Sequence, residues 1–319
     1  MHDIKLNRFA SKAAVSSEVA QVISEYASSC ITRSGSFHVA WSGGSLPAIV
    51  CEQLVKQPLV DAIDWSKWHI WLVDERCVAL EHADSSWRLL HQHLLSQEGV
   101  DIPAENLHPL PECARFAVAP VPTGHEGEAE GLVQQATAQY AAALLSSGVE
   151  NSSGMPVVDL ILLGFGPDGH TASLFPGRDH DDMRYHEVGG AWLAIPSVMT
   201  CVTDSPKPPA MRITMSLPCI LASRRIITVG CGGDKESGST AAPHASTHAA
   251  AGVPAHSKST GGPSAVVAAA ESGPGGRGGA VFASVVSSAA ASVYCWPAAA
   301  AAMTLLQCFL CVFLPKTGF

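Results

Sequence analysis

The chain has 319 residues, with 19 Lys and Arg against 28 Asp and Glu and a formal net charge of -9 at neutral pH. That length can bury a full core in one large domain or two small ones. The acidic balance, without clustered Lys and Arg, excludes non-specific nucleic-acid binding, and an anionic small molecule would have to meet a local basic pocket.

Residues 11–33 repeat Ala, Val and Ile at helical spacing, and "SFHVAW" (36–41) reads as a buried strand. The Gly-rich turn "SGGSLP" follows, and then "AIVCEQLV" as an apolar-periodic helix, so the first unit is strand, loop, helix. "WHIWLVDER" (68–76) is a second strand ending in three charged residues, and "SSWRLLHQHLL" (85–95) returns to helix. "VVDLILLG" (157–164) and "RRIITVG" (224–230) are near-continuous apolar runs, the pattern of strands covered on both faces of a parallel sheet. Strands alternating with helices indicate an α/β layered domain.

From about residue 236 the composition shifts to Ala, Gly, Ser and Pro, which cannot offset the entropy of ordering and reads as a disordered or flexible segment. The expected organisation is an α/β domain over 1–235, a low-complexity segment over 236–291, and an apolar segment over 292–319. The run "AAAAAMTLLQCFLCVFL" (298–314) is interrupted by Gln307 and is just short of a membrane span. It is expected to pack as a closing helix, and no membrane partner is expected. Ten cysteines spread through ordinary globular sequence read as reduced thiols. Cys308-x-x-Cys311 lacks the second pair of a zinc knuckle, and no metal is expected. "MHDIKLNRFA" has early acid and no apolar core of the secretory kind, so the cytosol is the expected compartment.

The chemistry concentrates in "LLGFGPDGHTASLFPG" (162–177). Gly164, Gly166 and Gly169 fit the G-x-G-x-x-G dinucleotide pattern. However, Pro167 removes an amide and Asp168 sets a carboxylate where a pyrophosphate would lie, the wrong sign for that ligand. The acidic residue expected about 20 residues on is also missing, because "RDHDDMRYHEVGG" reads as a polar loop. The alternative places His170 at the carboxyl end of a parallel strand, as a base oriented by Asp168. On these residues alone, a His170 that merely caps a following "TASLF" helix is an equal reading. Neither Ser45 nor Ser173 sits in the G-x-S-x-G of a serine hydrolase.

"LLGFGPDGHTASLFPG" resembles the signature of the 6-phosphogluconolactonase family, and "WSGGSLP", "WLVDER", "SPKPPAMRITMSLPCI" and "VGCGGDK" stand in that family's order. The resemblance covers about residues 36–235. It implies a three-layer Rossmann-like α/β domain with a mostly parallel sheet, the fold shared with glucosamine-6-phosphate deaminases and ribose-5-phosphate isomerases. It also implies hydrolysis of the sugar-phosphate lactone 6-phosphogluconolactone, without metal or cofactor. Carried onto this chain, His170 is the general base and Asp168 holds it. Gly43, Gly44 and Ser45 receive the substrate phosphate at a helix N-terminus. Arg76 offers a fork for phosphate or oxyanion, Asp74 binds sugar hydroxyls, and Lys207, Arg212 and Lys235 complete the basic pocket.

The chain also departs from the family pattern. Ser85 and Ser86 stand where the family commonly has Ser-Asn, so a structural hydrogen bond is expected to be lost there. "VYCWPAAAAAMTLL" lacks the aspartate of the family's closing block. Two rival readings are an amino-sugar phosphate deaminase or isomerase, and a non-catalytic sugar-phosphate binding protein with a degenerate C-terminus. Such deaminases continue "DGH" with Asn-Glu-Pro, whereas this chain has Ser173, Leu174, Phe175 and Pro176, which favours the lactonase.

Overall fold

The computed structural model of the chain describes residues 5–7, 9–115, 126–152, 154–178, 183–188, 191–231, 265–272 and 289–295. The chain opens with strand β1 (Lys5–Asn7) and helix α1 (Lys12–Ser34). Ser11 caps α1, its Oγ accepting from the Ala14 amide at 3.2 Å, and Gly35 ends the helix in the left-handed conformation at φ 83°. Strand β2 (Phe37–Trp41), helix α2 (Leu46–Leu54) and the short helix α3 (Leu59–Ala62) follow. Strands β3 (Trp68–Leu72) and β4 (Asp74–Arg76) lead to helix α4 (Ser86–Leu90). Helix α5 (Glu126–Ser146) precedes strands β5 (Glu150–Ser152), β6 (Met155–Val157) and β7 (Leu160–Leu163). Strands β8 (Met183–Val188), β9 (Ala191–Pro196), β10 (Met199–Val202) and β11 (Arg212–Met215), helix α6 (Leu217–Ala222) and strand β12 (Arg225–Cys231) come next. Strands β13 (Ala265–Ser272) and β14 (Ala289–Cys295) are the last described elements.

The main sheet runs β1-β14-β13-β12-β7-β2-β3, with β12, β7, β2 and β3 mutually parallel. Every residue of β2 and β7 is buried, as strands covered on both faces require. Helix α1 lays Val15, Val19, Ile23, Ala27 and Cys30 into the core at helical spacing. A smaller sheet, β10-β11-β4, is antiparallel, and β8 pairs with β9 as a separate hairpin.

A band of rings fills the space between β2, β3 and α5. His38 stacks on His69 at 4.2 Å between centroids, and Trp71 stacks on His108 at 3.6 Å. Trp71 Nε1 donates to His38 Nδ1 at 3.3 Å. Tyr140 of α5 closes the band, its hydroxyl accepting from the Leu72 amide and donating to the His108 carbonyl. Burial, with the neighbouring imidazoles, holds His38 down to about 3 and His108 down to about 4, so both are neutral at ordinary pH.

The α/β class and the mostly parallel sheet are as the sequence indicates, but several elements differ. "WHIWLVDER" is two strands in two sheets. The Val73 amide still bonds Trp41 of the main sheet, while the Val73 carbonyl accepts from Met215 of the small one, so the chain changes sheets at that residue. "VVDLILLG" likewise divides into β6 and β7. The second half of "SSWRLLHQHLL" is a π-helical turn, His91–Leu95. No helix follows His170: residues 171–174 form a tight turn closed by a Thr171–Leu174 bridge, which removes the capping reading. Part of the segment read as a polar loop is the β8–β9 hairpin. Its pairing is of backbone with backbone, which the polar side chains of "MRYHEV" do not oppose.

Residues 265–272, expected within a low-complexity disordered segment, form β13 between β12 and β14. Residues 292–295, expected to open a closing helix, end β14. Val266, Val267 and Val293 supply β-branched positions that overall composition conceals. Most of both segments, including the C-x-x-C, lies outside the described residues.

Candidate active site

In the order β12-β7-β2-β3 the chain winds outward in both directions from β2 and β7. That makes their carboxyl ends the switch point of the sheet, where open α/β folds leave a crevice. The two loops leaving these strands are 42–45 and 164–175, and the Ser42 amide bonds the Leu162 carbonyl to hold them side by side.

The loop after β7 is built around His170. Its Nδ1 lies 2.5 Å from Asp168 Oδ1, and Lys207 Nζ reaches the same oxygen at 3.0 Å. Lys207 Nζ is also 3.1 Å from His170 Nδ1. That nitrogen cannot both donate to the carboxylate and accept from the ammonium. The shorter, charge-assisted bond to Asp168 decides, so Nδ1 carries the proton and Nε2 keeps its lone pair. Among the described residues, Nε2 has no hydrogen-bond partner. The imidazole stacks on Phe175 at 4.9 Å, and Thr171 Oγ1 donates to the Gly164 carbonyl, fixing the base of the turn.

Burial lowers the His170 pKa, opposed by its bond to Asp168 and assisted by the Lys207 charge. Burial works against charge on Asp168, but the hydrogen bonds from His170 and Lys207 prevail and hold its carboxyl below the usual carboxylate range. The result is a neutral, oriented imidazole beside an ionised carboxylate, the arrangement of a general base.

Asp74 begins β4 and is buried. Its Oδ1 accepts from Ser42 Oγ at 3.3 Å and its Oδ2 from Ser173 Oγ at 2.8 Å, so it joins the two crevice loops. Arg76 and Arg212 are opposite one another in the β4–β11 register and therefore on one face. Burial and the Arg76 charge both lower the Arg212 pKa. Arg212 gives Nη1 to Ser173 at 3.4 Å, Nη2 to the carbonyls of Lys207 and Pro208, and Nε to that of Pro209. It thereby braces the segment carrying Lys207. Arg76 gives Nη1 to the Asp84 carbonyl at 2.6 Å, and its buried Nε has no partner in the described structure.

Gly43, Gly44 and Ser45 lie between β2 and α2, at the positive end of that helix. A Cβ on Gly43 would run into the Ser86 side chain, and Gly44 has a φ of 69° that disfavours other residues. The loop therefore requires both glycines for their own separate reasons. Glu75, turned away from Asp74 and Arg76, is fully buried. It accepts from the amides of Arg76, Ser86 and Trp87 and from Ser85 Oγ, capping α4. Burial raises its pKa against those four donors. Among the described residues, Ser86 Oγ is buried without a hydrogen-bond partner.

The chain matches the model of the family described as glucosamine-6-phosphate isomerases/6-phosphogluconolactonase over residues 10–267. It belongs to that family. It is 37% identical over 242 residues to probable 6-phosphogluconolactonase 2 of Arabidopsis thaliana, covering 74% of this chain and 82% of that protein. It is also 37% identical over 201 residues to the chloroplastic 6-phosphogluconolactonase 3 of the same plant, covering 63% of this chain but only 54% of that longer protein. Among solved structures, the 6-phosphogluconolactonase of Trypanosoma cruzi aligns with a TM-score of 0.53 at 25% identity, over 71% of this chain and 80% of that one. The Trypanosoma brucei enzyme aligns at 0.57 with 23% identity, over 72% and 82%, and shows the shared fold.

Within this family member the residues expected from sequence fall into one place, with one exception. Asp168, His170 and Lys207 form one contact group, while Asp74, Arg76 and Arg212 share one face of the small sheet. Ser42 joins Asp74 to the loop of Gly43, Gly44 and Ser45, and Ser173 joins it to the loop of His170. Lys235 lies outside the described residues. Sequence reasoning missed Ser42 and the bracing roles of Ser173 and Glu75. The alternation of Asp74, Glu75 and Arg76 along a strand was the available signal for Glu75 facing inward. Among the described residues, no group of three or more His, Cys, Asp or Glu could hold a metal ion. No described helix is long and apolar enough to cross a membrane.

Proposed function

We propose that the chain hydrolyses 6-phosphogluconolactone to 6-phosphogluconate. The observation that carries the reading is the His170–Asp168 pair in the crevice at the end of β7, protonated at Nδ1 and open at Nε2. Nε2 takes a proton from water as the water oxygen bonds to the lactone carbonyl carbon. The tetrahedral oxyanion then collapses, the bond to the ring oxygen breaks, and the imidazolium returns its proton to that oxygen. Asp168 keeps the ring oriented and stabilises the transient imidazolium. The amides and hydroxyl of Gly43, Gly44 and Ser45, together with Arg76 and Lys235, receive the phosphate. Lys207 and Arg212 supply further positive charge, and Asp74 serves the sugar hydroxyls with the lone pairs that Ser42 and Ser173 leave.

The names of the relatives support this substrate. Cys30, Cys51, Cys77, Cys113 and Cys219, free thiols that are buried or half-buried, suit a reducing compartment, and the cytosol is the compartment proposed. The test is acid release from freshly prepared 6-phosphogluconolactone, corrected for spontaneous opening. A rate with protein equal to the rate without it would sink the proposal.

A further inference from the structure

Ser173 takes no part in the proton transfer, yet it is completely buried three residues after His170 and held from three directions. Its hydroxyl donates to Asp74 Oδ2 and accepts from Arg212 Nη1, and its amide reaches Thr214 Oγ1 at 3.4 Å. All three partners stand on β4 and β11 of the small sheet, whereas His170 hangs from β7 of the large one. Ser173 is thus the joint by which the loop of the base is fastened to the sheet that carries the arginines.

The loop needs such a fastening. The residue before Ser173, Ala172, has a φ of 50°, a left-handed conformation that a residue with a Cβ seldom adopts unless its surroundings impose it. Total burial and a hydroxyl committed to a carboxylate remove Ser173 from consideration as a nucleophile.

We infer that Ser173 is a positioning residue for the reaction. Clamped between Asp74 and Arg212, it sets the distance from His170 Nε2 to the cations that hold the anionic substrate. The inference rests on the lactonase reading. A misplacement of about 1 Å in a reacting geometry can lower the rate about a hundredfold, while the binding of an isolated anion is insensitive to it.

The test compares Ser173→Ala with the parent in three measurements: kcat, the inhibition constant of inorganic phosphate, and the folded fraction at the assay temperature. We expect kcat to fall about tenfold or more, with phosphate inhibition unchanged. Thr214→Val removes the acceptor of the Ser173 amide with little change of shape, and it carries the same expectation if Ser173→Ala does not fold. Parental kcat in a folded Ser173→Ala, or in Thr214→Val where that alone folds, overturns the inference. So does a loss confined to phosphate affinity. An inactive parent protein would instead overturn the lactonase reading itself.

Discussion

The imidazole of His170 lies directly against the Cα of Gly166, in the space that any Cβ at that position would occupy. Such a Cβ would overlap Cε1 and Nδ1 of the ring and Oδ1 of Asp168 as well. The middle glycine of "GFGPDG" therefore serves as the seat of the His170 ring, the base of the proposed reaction. Gly166→Ala is expected to lower kcat about a hundredfold, because the ring must leave its place. Gly164 meets nothing within 4 Å where its Cβ would be, so Gly164→Ala should keep most of the activity. Equal rates from the two variants, measured under saturating lactone, would refute this account.

The acid limb of the pH profile should respond to the two charges beside His170 with opposite signs. If His170 is the base as proposed, it must be neutral, and burial lowers its pKa, so kcat/KM should persist below the ordinary imidazole value of about 6.5 before it declines. Asp168 raises the His170 pKa and Lys207 lowers it. Asp168→Asn should shift the limb to lower pH and reduce the rate, and Lys207→Met should shift it to higher pH. His170→Ala should cost about a hundredfold or more and abolish the limb. Shifts of the same sign in the two charge variants would contradict the assigned geometry.

Arg76 and Arg212 place two guanidinium groups on one sheet face, and Arg76 Nε is a buried donor without a partner among the described residues. An arriving phosphate would satisfy it. Arg76→Ala should raise KM about tenfold, the equivalent of one hydrogen bond to a charged group, with a smaller change in kcat. Inorganic phosphate should compete with the lactone in the parent and compete less well in the variant. EDTA should leave the rate unchanged, and inhibition by EDTA that added metal reverses would point to a different mechanism.

The stacked imidazoles under α5 make stability depend on acid. His38 and His108 have folded values of about 3 and about 4, below the ordinary value of about 6.5 for the unfolded chain. Below pH 6.5 the unfolded state therefore binds more protons, so their stabilisation is complete above that pH and is lost as the pH falls toward 4. At pH 5, His38 alone accounts for about 2 kcal/mol of the loss, 1.5 pH units at about 1.4 kcal/mol each. Urea unfolding at pH 7.5 and pH 5 should show this loss in the parent and less of it in His38→Gln. An identical loss in both would exonerate the imidazoles.

The parts of the fold that could be read in advance are those where one residue type does one job. Leu160 to Leu163 are apolar throughout, and Phe37 to Trp41 are apolar except for His38, because both faces of their strands are covered. Asp168 and His170 could be paired because they are two residues apart in one loop. The break at Val73 could not be read, because it arises from bonds to Trp41 and Met215, far away along the chain. Ser42 and Ser173 are silent for the same reason. A serine is unremarkable until Asp74 is found between the two, 32 residues from one and 99 from the other. Helix α5 buries Val133, Ala136, Tyr140 and Leu144 at regular spacing, but its many alanines give that stripe little contrast.

The change of sheet at Val73 turns part of the site into a matter of counting. Val73 belongs to the large sheet through its amide and to the small sheet through its carbonyl, and Arg76 stands three residues further on. A substitution in "WLVDER" alters one side chain. One residue added or removed between Leu72 and Asp74 would reverse which of Asp74, Glu75 and Arg76 face the crevice. The carboxylate that caps α4 would then point at the substrate, and the arginine would point into the core. The length of this short segment, rather than any one of its side chains, is what it can least afford to lose.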